Sequence, residues 1–599
     1  MLLLVPFLGM SQPSEKACFS VPGGFYENEF SLEIFPFYQN HHIRFTTNGN
    51  RPTAASTLYT EPLLLDESLY SSSDIYTIQI SPDDLVFVPD HIDHCIVIRA
   101  AVFDENDNRI SEVSTNSYFI QSLGCDTHGL PVVSLCADTL DLFDYEHGIF
   151  VPGIHFDPLD PNWTGNYYMR GDAWERPVNV EFYETDNQGV NQLAGLRTHG
   201  GNGRRFPQKS LKVFAREEYG KKRFDYRFFD GNPMESFKHL VLKPFNSGWT
   251  QSGVANHVCN EIAHNLNMES LSSRPTVLFL NGEYWGIYCI QEKPDERYLE
   301  DHLGVPEEEI NLLSGWNPVL DHGTSLYYEQ FRTWLSEADL SLPENYEYAY
   351  AHVDMACFID YVSLELFIEN MDWPANNIRF WQRNDGPWRW IFFDGDACLR
   401  YLAFDVFANA LYTGPETWPS NNDATLFFRK FLENPVFYQQ FLGRFNELLN
   451  TVFQFSVTNG YLTDIENAIA LEIPGQVARF NYPQSLSKWN ECIGQHRYFL
   501  RHRVDNMQER INDFVEIQEY KRVAYTVAPN PCDDHVAILF DYPQDTLVNV
   551  SLYDLTGRRI VDKDLYVADR RLELDLPECL RSGIYVLRVG NVTSKIIKH

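Results

Sequence analysis

The sequence has few basic residues and no long apolar run. Of its 599 residues, 47 are Lys or Arg and 83 are Asp or Glu, so the formal net charge is −36. A chain this acidic repels phosphate backbones, which excludes nucleic acid as a main partner and disfavours an anionic membrane surface. No apolar run reaches the roughly 18 residues of a membrane-spanning helix. We therefore expect no transmembrane segment.

Several catalytic signatures are also missing. The eleven cysteines are scattered, with no CxxC pair and no zinc-ligand spacing. There is no G-x-S-x-G nucleophile turn and no H-E-x-x-H helix, so serine-hydrolase and zinc-protease chemistry find no support. The chain does have 44% hydrophobic and 15% aromatic residues, enough for several packed cores.

The first residues resemble an export signal. The stretch MLLLVPFLGM precedes Ser11-Gln12-Pro13, an apolar run followed by small and polar residues, although the usual basic start is missing. We predict a signal-like segment over residues 1–17. The alternative is a buried first strand.

Residue patterns divide the remainder into three parts. Residues 18–121 alternate in the manner of short strands, with a hairpin turn at Asn48-Gly49. Residues 130–515 begin rich in strands and end rich in helices, which predicts a two-lobed α+β core. Residues 521–599 are again β-rich. The predicted fold is therefore multidomain, with an α+β core between two β-sandwiches.

The strongest chemical signal lies late in the core. Asp372 and Asn377 have the D-x-x-x-x-N spacing of kinase catalytic loops, in which the Asp accepts the hydroxyl proton and the Asn binds magnesium. An apolar strand then leads to Asp394-Gly395-Asp396. Carboxylate and amide oxygens suit Mg²⁺, which lets an acidic cleft hold ATP. Taken alone, this spacing favours turn or helix-cap residues over a catalytic site, because it often occurs by chance.

The segment 130–515 resembles the CotH kinase family of spore-coat-type atypical protein kinases. The resemblance rests on motifs that occur in the family's order. They are Arg197-Thr-His-Gly-Gly-Asn202-Gly-Arg-Arg-Phe-Pro-Gln-Lys209-Ser-Leu-Lys212, Tyr219-Gly220, Phe224-Asp-Tyr-Arg-Phe228, Leu280-Asn-Gly-Glu-Tyr-Trp-Gly-Ile-Tyr288, Glu292-Lys293, and the Asp372 and Asp394 motifs.

The resemblance implies a nucleotide-binding role for a further set of residues. Glycines at 200, 201 and 203 would bring backbone amides to phosphate, two lysines would neutralise charge, and an acid would orient a lysine or reach the nucleotide. Asp372 would be the catalytic base, with ATP and Mg²⁺ as cofactors and Mn²⁺ as the alternative metal. The implied nucleotide-binding residues are Arg197, Gly201, Asn202, Gly203, Lys209, Lys212 and Glu292, and the implied metal ligands are Asn377, Asp394 and Asp396.

Two departures from the family pattern leave a second function open. Gly203-Arg204 stands where a Ser commonly follows the Gly-Asn pair. Trp249-Thr250 and Ala255-Asn256 replace charged residues farther along. The expected activity is Ser/Thr phosphorylation of a surface or extracellular protein. The alternative is an inactive kinase-fold scaffold or a carbohydrate-binding protein.

Both ends carry resemblances of their own. Residues 18–121 resemble the accessory β-sandwich at the C-terminus of chitobiases and hexosaminidases, for which we favour a spacer over a glycan-binding module. Residues 521–599, with Asp554-Leu-Thr-Gly557 and a basic end, resemble the type IX secretion sorting domain of Bacteroidetes. This implies the type IX machinery as a partner and a secreted or outer-membrane surface location. The protein acceptor stays unknown.

Overall fold

The computed structural model describes most of the chain. The predicted signal-like segment lies outside it as far as residue 15. The described residues are 16–35, 41–70, 75–82, 92–125, 128–186, 189–245, 251–523, 525–540, 547–567, 570–590 and 592–599.

The N-terminal part is a β-structure built on the long strand β8. The strands are β1 Cys18–Phe19, β2 Gly24–Tyr26, β3 Ser31–Leu32, β4 Ile34–Phe35, β5 His42–Thr46, β6 Thr57–Leu58, β7 Leu63–Leu64, β8 Ile96–Phe103 and β9 Ser114–Ile120. The main sheet has the order β2-β9-β8-β5-β6. Every residue of β8 is buried. Because side chains alternate along a strand, Ile96 and Ile98 join the sandwich core while Val97 packs in the neighbouring core.

The next part is a closed barrel. Its strands are β10 Val132–Cys136, β11 Arg176–Tyr183, β12 Gly189–Thr198, β13 Leu211–Phe214, β14 His239–Pro244, β15 Ser273–Leu280 and β16 Glu283–Gln291. Closure comes from the parallel pairing of β10 with β15. Closing the sheet leaves no free edge, and apolar side chains from every strand form one interior cluster. Two helices accompany these strands, α1 Thr139–Phe143 and α2 Ala255–Ala263.

The second half of the core is mainly helical, with one four-stranded sheet of order β18-β17-β19-β20. Its central helix α6 is buried almost throughout. The elements are α3 Glu296–Leu303, β17 Ile310–Ser314, β18 Val319–His322, α4 Leu326–Glu337, α5 Pro343–His352, α6 Met355–Ile368, β19 Arg379–Arg383, β20 Arg389–Trp390, α7 Val406–Ala410, α8 Leu426–Phe431, α9 Pro435–Leu449, α10 Phe455–Ile469, α11 Ile473–Phe480 and α12 Leu486–Val523.

The C-terminal part packs two antiparallel sheets, β21-β22-β25 and β24-β23-β26-β27, around a core of its own. Its strands are β21 Tyr525–Ala528, β22 His535–Phe540, β23 Leu547–Asp554, β24 Arg559–Tyr566, β25 Arg571–Asp575, β26 Gly583–Val589 and β27 Val592–Lys598. Arg570 forms an ion pair of 2.8 Å with Asp339 of the core. Helix α12 runs past residue 515, where the sequence predicted the core to end.

The chain is thus multidomain, with mixed helices and sheets in the middle and β-rich ends, as the sequence predicted. Across the described ranges, no helix combines the length and the apolar character needed to cross a membrane.

Candidate active site

The ends of α6 and β20 bring the predicted catalytic residue Asp372 together with the predicted metal ligands Asn377 and Asp394. Helix α6 stops at Ile368 because the next residue turns left-handed, and Asp372 lies in the turn that follows. Asn377 donates hydrogen bonds from Nδ2 to Asp372 Oδ2 at 3.3 Å and to the Asp394 carbonyl at 3.2 Å. A D-x-x-x-x-N pair and a distant Asp thus form one group.

Strand β14 of the barrel supplies a lysine that sequence analysis did not select. Lys243 Nζ lies 2.7 Å from Asp394 Oδ1 and 2.9 Å from Asp396 Oδ2. The side chains of Lys243 and Asp396 are 14% and 15% exposed, whereas that of Asp394 is 41% exposed. The ion pair therefore joins the barrel to the helical half, with Asp394 open to the cleft.

The charged side chains in this group shift one another's pKa values. Burial raises the pKa of Asp394, but the Lys243 ammonium outweighs it and holds the pKa below its ordinary value. Burial raises the pKa of Asp396, and the neighbouring Asp394 adds to this. The pKa of Asp372 is raised to about 6, first by burial and then by the charge of Asp394. A carboxyl group with a pKa near neutrality is suited to proton transfer.

Helix α2 holds the loop of Asp394 and Asp396 in place. The Gly395 N–H donates to Asn256 Oδ1 at 3.0 Å, and Asn256 Nδ2 donates to Gln291 Oε1 at 3.0 Å. A Cβ at Gly395 would lie 2.8 Å from Cys259 Cβ, so the close packing needs glycine here. Asn256, which departs from the family pattern, thus binds the Asp394–Asp396 loop through a hydrogen bond and brings no charge to it. Trp249-Thr250, which also departs from the pattern, lies outside the described residues.

The glycine-rich segment forms an open turn between β12 and β13. A Cβ at Gly200, Gly201 or Gly203 would meet no atom within 4 Å, so the backbone is accessible there. Arg204 donates to the Gly200 carbonyl at 2.8 Å and Arg205 donates to Asn202 Oδ1 at 2.9 Å. These internal bonds give the turn its shape.

Three of the predicted nucleotide-binding residues are held by protein partners. Arg197 pairs with Asp172 and with Glu175, the latter at 2.6 Å. Glu292 accepts from the Ser272 N–H at 2.9 Å and contacts His302 at 2.6 Å, with no lysine among these partners. Lys209 is fully buried and donates to three backbone carbonyls.

The remaining predicted lysine lies in a second group of charges. Lys212 Nζ is 3.8 Å from Asp295, which also binds Lys293 at 3.0 Å and His239 at 2.9 Å. Burial and then Lys293 lower the pKa of Lys212 to about 7. Burial, Lys212 and Lys293 also hold the pKa of His199 well below its ordinary value.

The carboxylates fit a hard divalent cation. Asp394 and Asp396 each direct one oxygen to the Lys243 ammonium, and the Asn377 amide donates to the Asp394 carbonyl. Oxygen donors of this kind are the ones Mg²⁺ and Mn²⁺ prefer. Sequence reasoning missed the roles of Lys243 and Asn256. The only signal for Lys243 was a lone lysine in an apolar strand.

Comparison with known families identifies each part of the chain. The model of the CotH kinase protein family matches residues 196–507, which is more than half of the chain. The secretion system C-terminal sorting domain matches residues 526–599, and the Fn3 associated family matches residues 32–118. No curated protein matches the chain. The sorting domain implies export to the cell surface or the medium through type IX secretion.

Proposed function

This chain belongs to the CotH kinase protein family, and we propose that it is an exported atypical protein kinase. In this proposal it transfers the γ-phosphate of ATP to a Ser or Thr hydroxyl of a surface or extracellular protein. The observation that carries the proposal is one connected cluster of side chains. Asn377 donates to Asp372 and to the Asp394 carbonyl, and the Asp394 carboxylate pairs with Lys243 of β14.

The order of the elements supports a two-lobed kinase arrangement. An open glycine turn is followed by β13, by β14 with Lys243, and by α2. The order continues through β15 and β16 to Asp372 and Asp394. Protein kinases place a glycine-rich loop, a lysine on the third strand, helix αC, a catalytic-loop Asp and a metal-binding Asp in the same order. Lys243, rather than Lys209 or Lys212, corresponds to the kinase lysine.

We assign Asp394, Asp396 and Asn377 to the metal. A bound Mg²⁺, with Mn²⁺ as the alternative, supplies charge neutralisation for the β- and γ-phosphates. Lys243 bridges the two carboxylates that would hold the metal, and it would be placed to contact phosphate oxygens beside a bound metal. Pre-positioned charges of this kind supply most of the rate in phosphoryl transfer.

Asp372 is the proposed base. Its hydrogen bond from Asn377 orients the carboxylate, and its pKa of about 6 leaves it mostly ionised at neutral pH. It then accepts the proton of the attacking hydroxyl within the cleft. The open glycine turn and Lys212 are proposed to contact the nucleotide, with Arg197 shaping the turn from its ion pairs.

One observation favours the alternative of an inactive scaffold. Kinases pair the strand lysine with an acid of helix αC, whereas α2 offers the neutral Asn256. Lys243 binds the metal-loop carboxylates instead. If Lys243 stays bound to these carboxylates and no metal can bind them, the chain has a kinase fold without catalysis.

Two variants of the full chain separate these functions. Asp394→Ala should remove both Mg-ATP stabilisation and ATP turnover, because ligand binding to the native state raises its stability. Asp372→Ala should keep the Mg-ATP thermal shift and lose roughly 10²–10⁴-fold in turnover. Asp385→Ala, in the exposed turn between β19 and β20, is the matched control. No thermal shift of the unaltered chain at millimolar Mg-ATP would favour the scaffold.

The acceptor is open to a direct test. Phosphoproteomes of the source bacterium, which we propose to be a member of the Bacteroidetes, with and without the gene should differ in exported Ser/Thr phosphosites. A strain carrying Asp372→Ala should match the deletion.

A further inference from the structure

A segment of the N-terminal part closes one end of the barrel. Residues 75–82 precede the sandwich strand β8 in the chain, yet Ile75 and Ile80 belong to the apolar cluster inside the barrel. They are 1% and 7% exposed and share that cluster with Leu196 and Leu211 of β12 and β13. We call residues 75–82 the plug. Leu196 and Leu211 lie on the two strands that flank the glycine turn.

Buried hydrogen bonds fasten the plug to the barrel. The carboxylate of Glu283 accepts from the Ile75 N–H at 2.6 Å and from the Tyr76 N–H at 3.1 Å. Glu283 is 1% exposed and begins strand β16. Breaking these bonds would remove two hydrogen-bond donors from a buried carboxylate, which is costly in an apolar interior. The plug is therefore a fixed part of the barrel.

Lys209 connects the plug to the glycine turn. Its ammonium donates to the Ile80 carbonyl of the plug at 2.8 Å, and to the carbonyls of Arg204 at 2.7 Å and Phe206 at 3.1 Å in the turn. It also lies 4.2 Å from the centre of the Tyr167 ring. Lys209 is fully buried, so each carbonyl replaces a water that the ammonium gave up.

We propose that the plug is a component of the nucleotide site and that Lys209 is a positioning residue that transmits the plug's placement to the glycine turn. The proposal deepens the proposed kinase function and rests on it. Loss of the Ile80 carbonyl would leave the ammonium short of an acceptor, and residues 204–206 would have to shift to satisfy it. The N-terminal sandwich thereby becomes an integral part of the catalytic unit rather than a spacer.

Hydrogen exchange of the full chain without nucleotide tests the connection. Lys209→Met removes the ammonium and keeps the length, and Ile80→Ala opens a cavity at the plug, with Ile80→Val as a milder version should the first not fold. We expect amide exchange in residues 200–206 to rise about five- to tenfold, the effect of one net hydrogen bond. Ile98→Ala, in the sandwich's own core, is the matched control and should leave residues 200–206 unchanged.

Mg-ATP supplies the second readout. Nucleotide should slow exchange in residues 200–206 and in the plug of the unaltered chain, and in Lys209→Met it should no longer protect the plug. If Lys209→Met weakens Mg-ATP binding yet leaves exchange without nucleotide as in the unaltered chain, Lys209 acts on phosphate directly and the inference is overturned. If Mg-ATP protects nothing in the unaltered chain, the kinase proposal fails, while the exchange data without nucleotide still decide the role of the plug.

Discussion

Replacing Lys243 by Met is the sharpest perturbation of the candidate site. The change removes one ammonium and keeps the length of the side chain. In the unaltered chain that ammonium lies 2.7 Å from Asp394 and 2.9 Å from Asp396. Without it, two adjacent carboxylates remain with no cation between them. We expect the fold to lose stability and to gain dependence on metal ions.

The structure sets the size of the effect. Removing one partner of a buried ion pair costs about 3–5 kcal/mol. The lower end, about 3 kcal/mol, applies here because Asp394 is 41% exposed and solvent screens part of its charge. Such a loss is a large fraction of the roughly 5–15 kcal/mol that stabilises a typical protein.

The effect should also depend on pH, with a defined sign. Once the ammonium is gone, repulsion raises the pKa of the carboxylates in the folded state above the unfolded value of about 4. A raised folded pKa contributes stability that is present below the unfolded pKa and lost as the pH rises. The variant should therefore differ from the unaltered chain more at pH 8 than at pH 5.

Urea denaturation followed by tryptophan fluorescence measures this, at both pH values and with or without Mg²⁺. Millimolar Mg²⁺ should stabilise Lys243→Met more than the unaltered chain, because the metal replaces the missing charge. Lys238→Met removes a surface lysine 3.9 Å from Glu300 and should cost about 0–1 kcal/mol. Equal unfolding midpoints for Lys243→Met and the unaltered chain at pH 8 would refute the reasoning.

Three further predictions follow from other parts of the chain. Asp372→Asn should gain stability relative to the unaltered chain as the pH rises from about 4 through about 6. The Asp372 carboxyl has its pKa raised to about 6 in the folded protein, so the unaltered chain loses folding stability in that window. Thermal melts from pH 4 to pH 8 check this. Burial lowers the pKa of His128, but the carboxylates of Asp93 and Glu472 raise it to about 9. The contribution of His128 to folding stability should therefore be lost as the pH rises from about 6.5 through about 9. His128→Ala should remove this step from a plot of melting temperature against pH. Deleting residues 521–599 should hold the chain in the periplasm, and surface labelling that finds the truncated chain outside would contradict the role of the tail.

Local patterns selected the candidate site carboxylates only together with the family resemblance. Asp372 and Asn377 are five residues apart and Asp394 follows β20, but this spacing alone left turn and helix-cap roles open, and the resemblance decided between them. The β-rich ends were predicted from local signals, since apolar alternation and turn residues can be read along the chain. The family matches agree with the three resemblances that the sequence showed.

The positions of the lysines could not be predicted from local sequence patterns. Lys209 and Lys212 follow the glycine turn closely in the sequence, which made them the natural choice for phosphate. The register of the barrel instead turns Lys209 inward to three carbonyls and brings Lys243 from β14 to Asp394, 151 positions away. Strand pairing and barrel closure are long-range properties, and no residue near Lys243 in the sequence reports its partner.

The sequence by itself indicated the division of the chain, the candidate site carboxylates and the export tail, because each depends on motifs that can be read along the chain. Only the tertiary structure decided that Lys243 pairs with Asp394 and Asp396, that α2 offers the neutral Asn256 there, and that Ile75 and Ile80 of the N-terminal part pack in the barrel core. Those outcomes depend on strand pairing and on ion pairs between residues that are far apart in the sequence. The free energy of burying an ion decides them more than any local conformational preference.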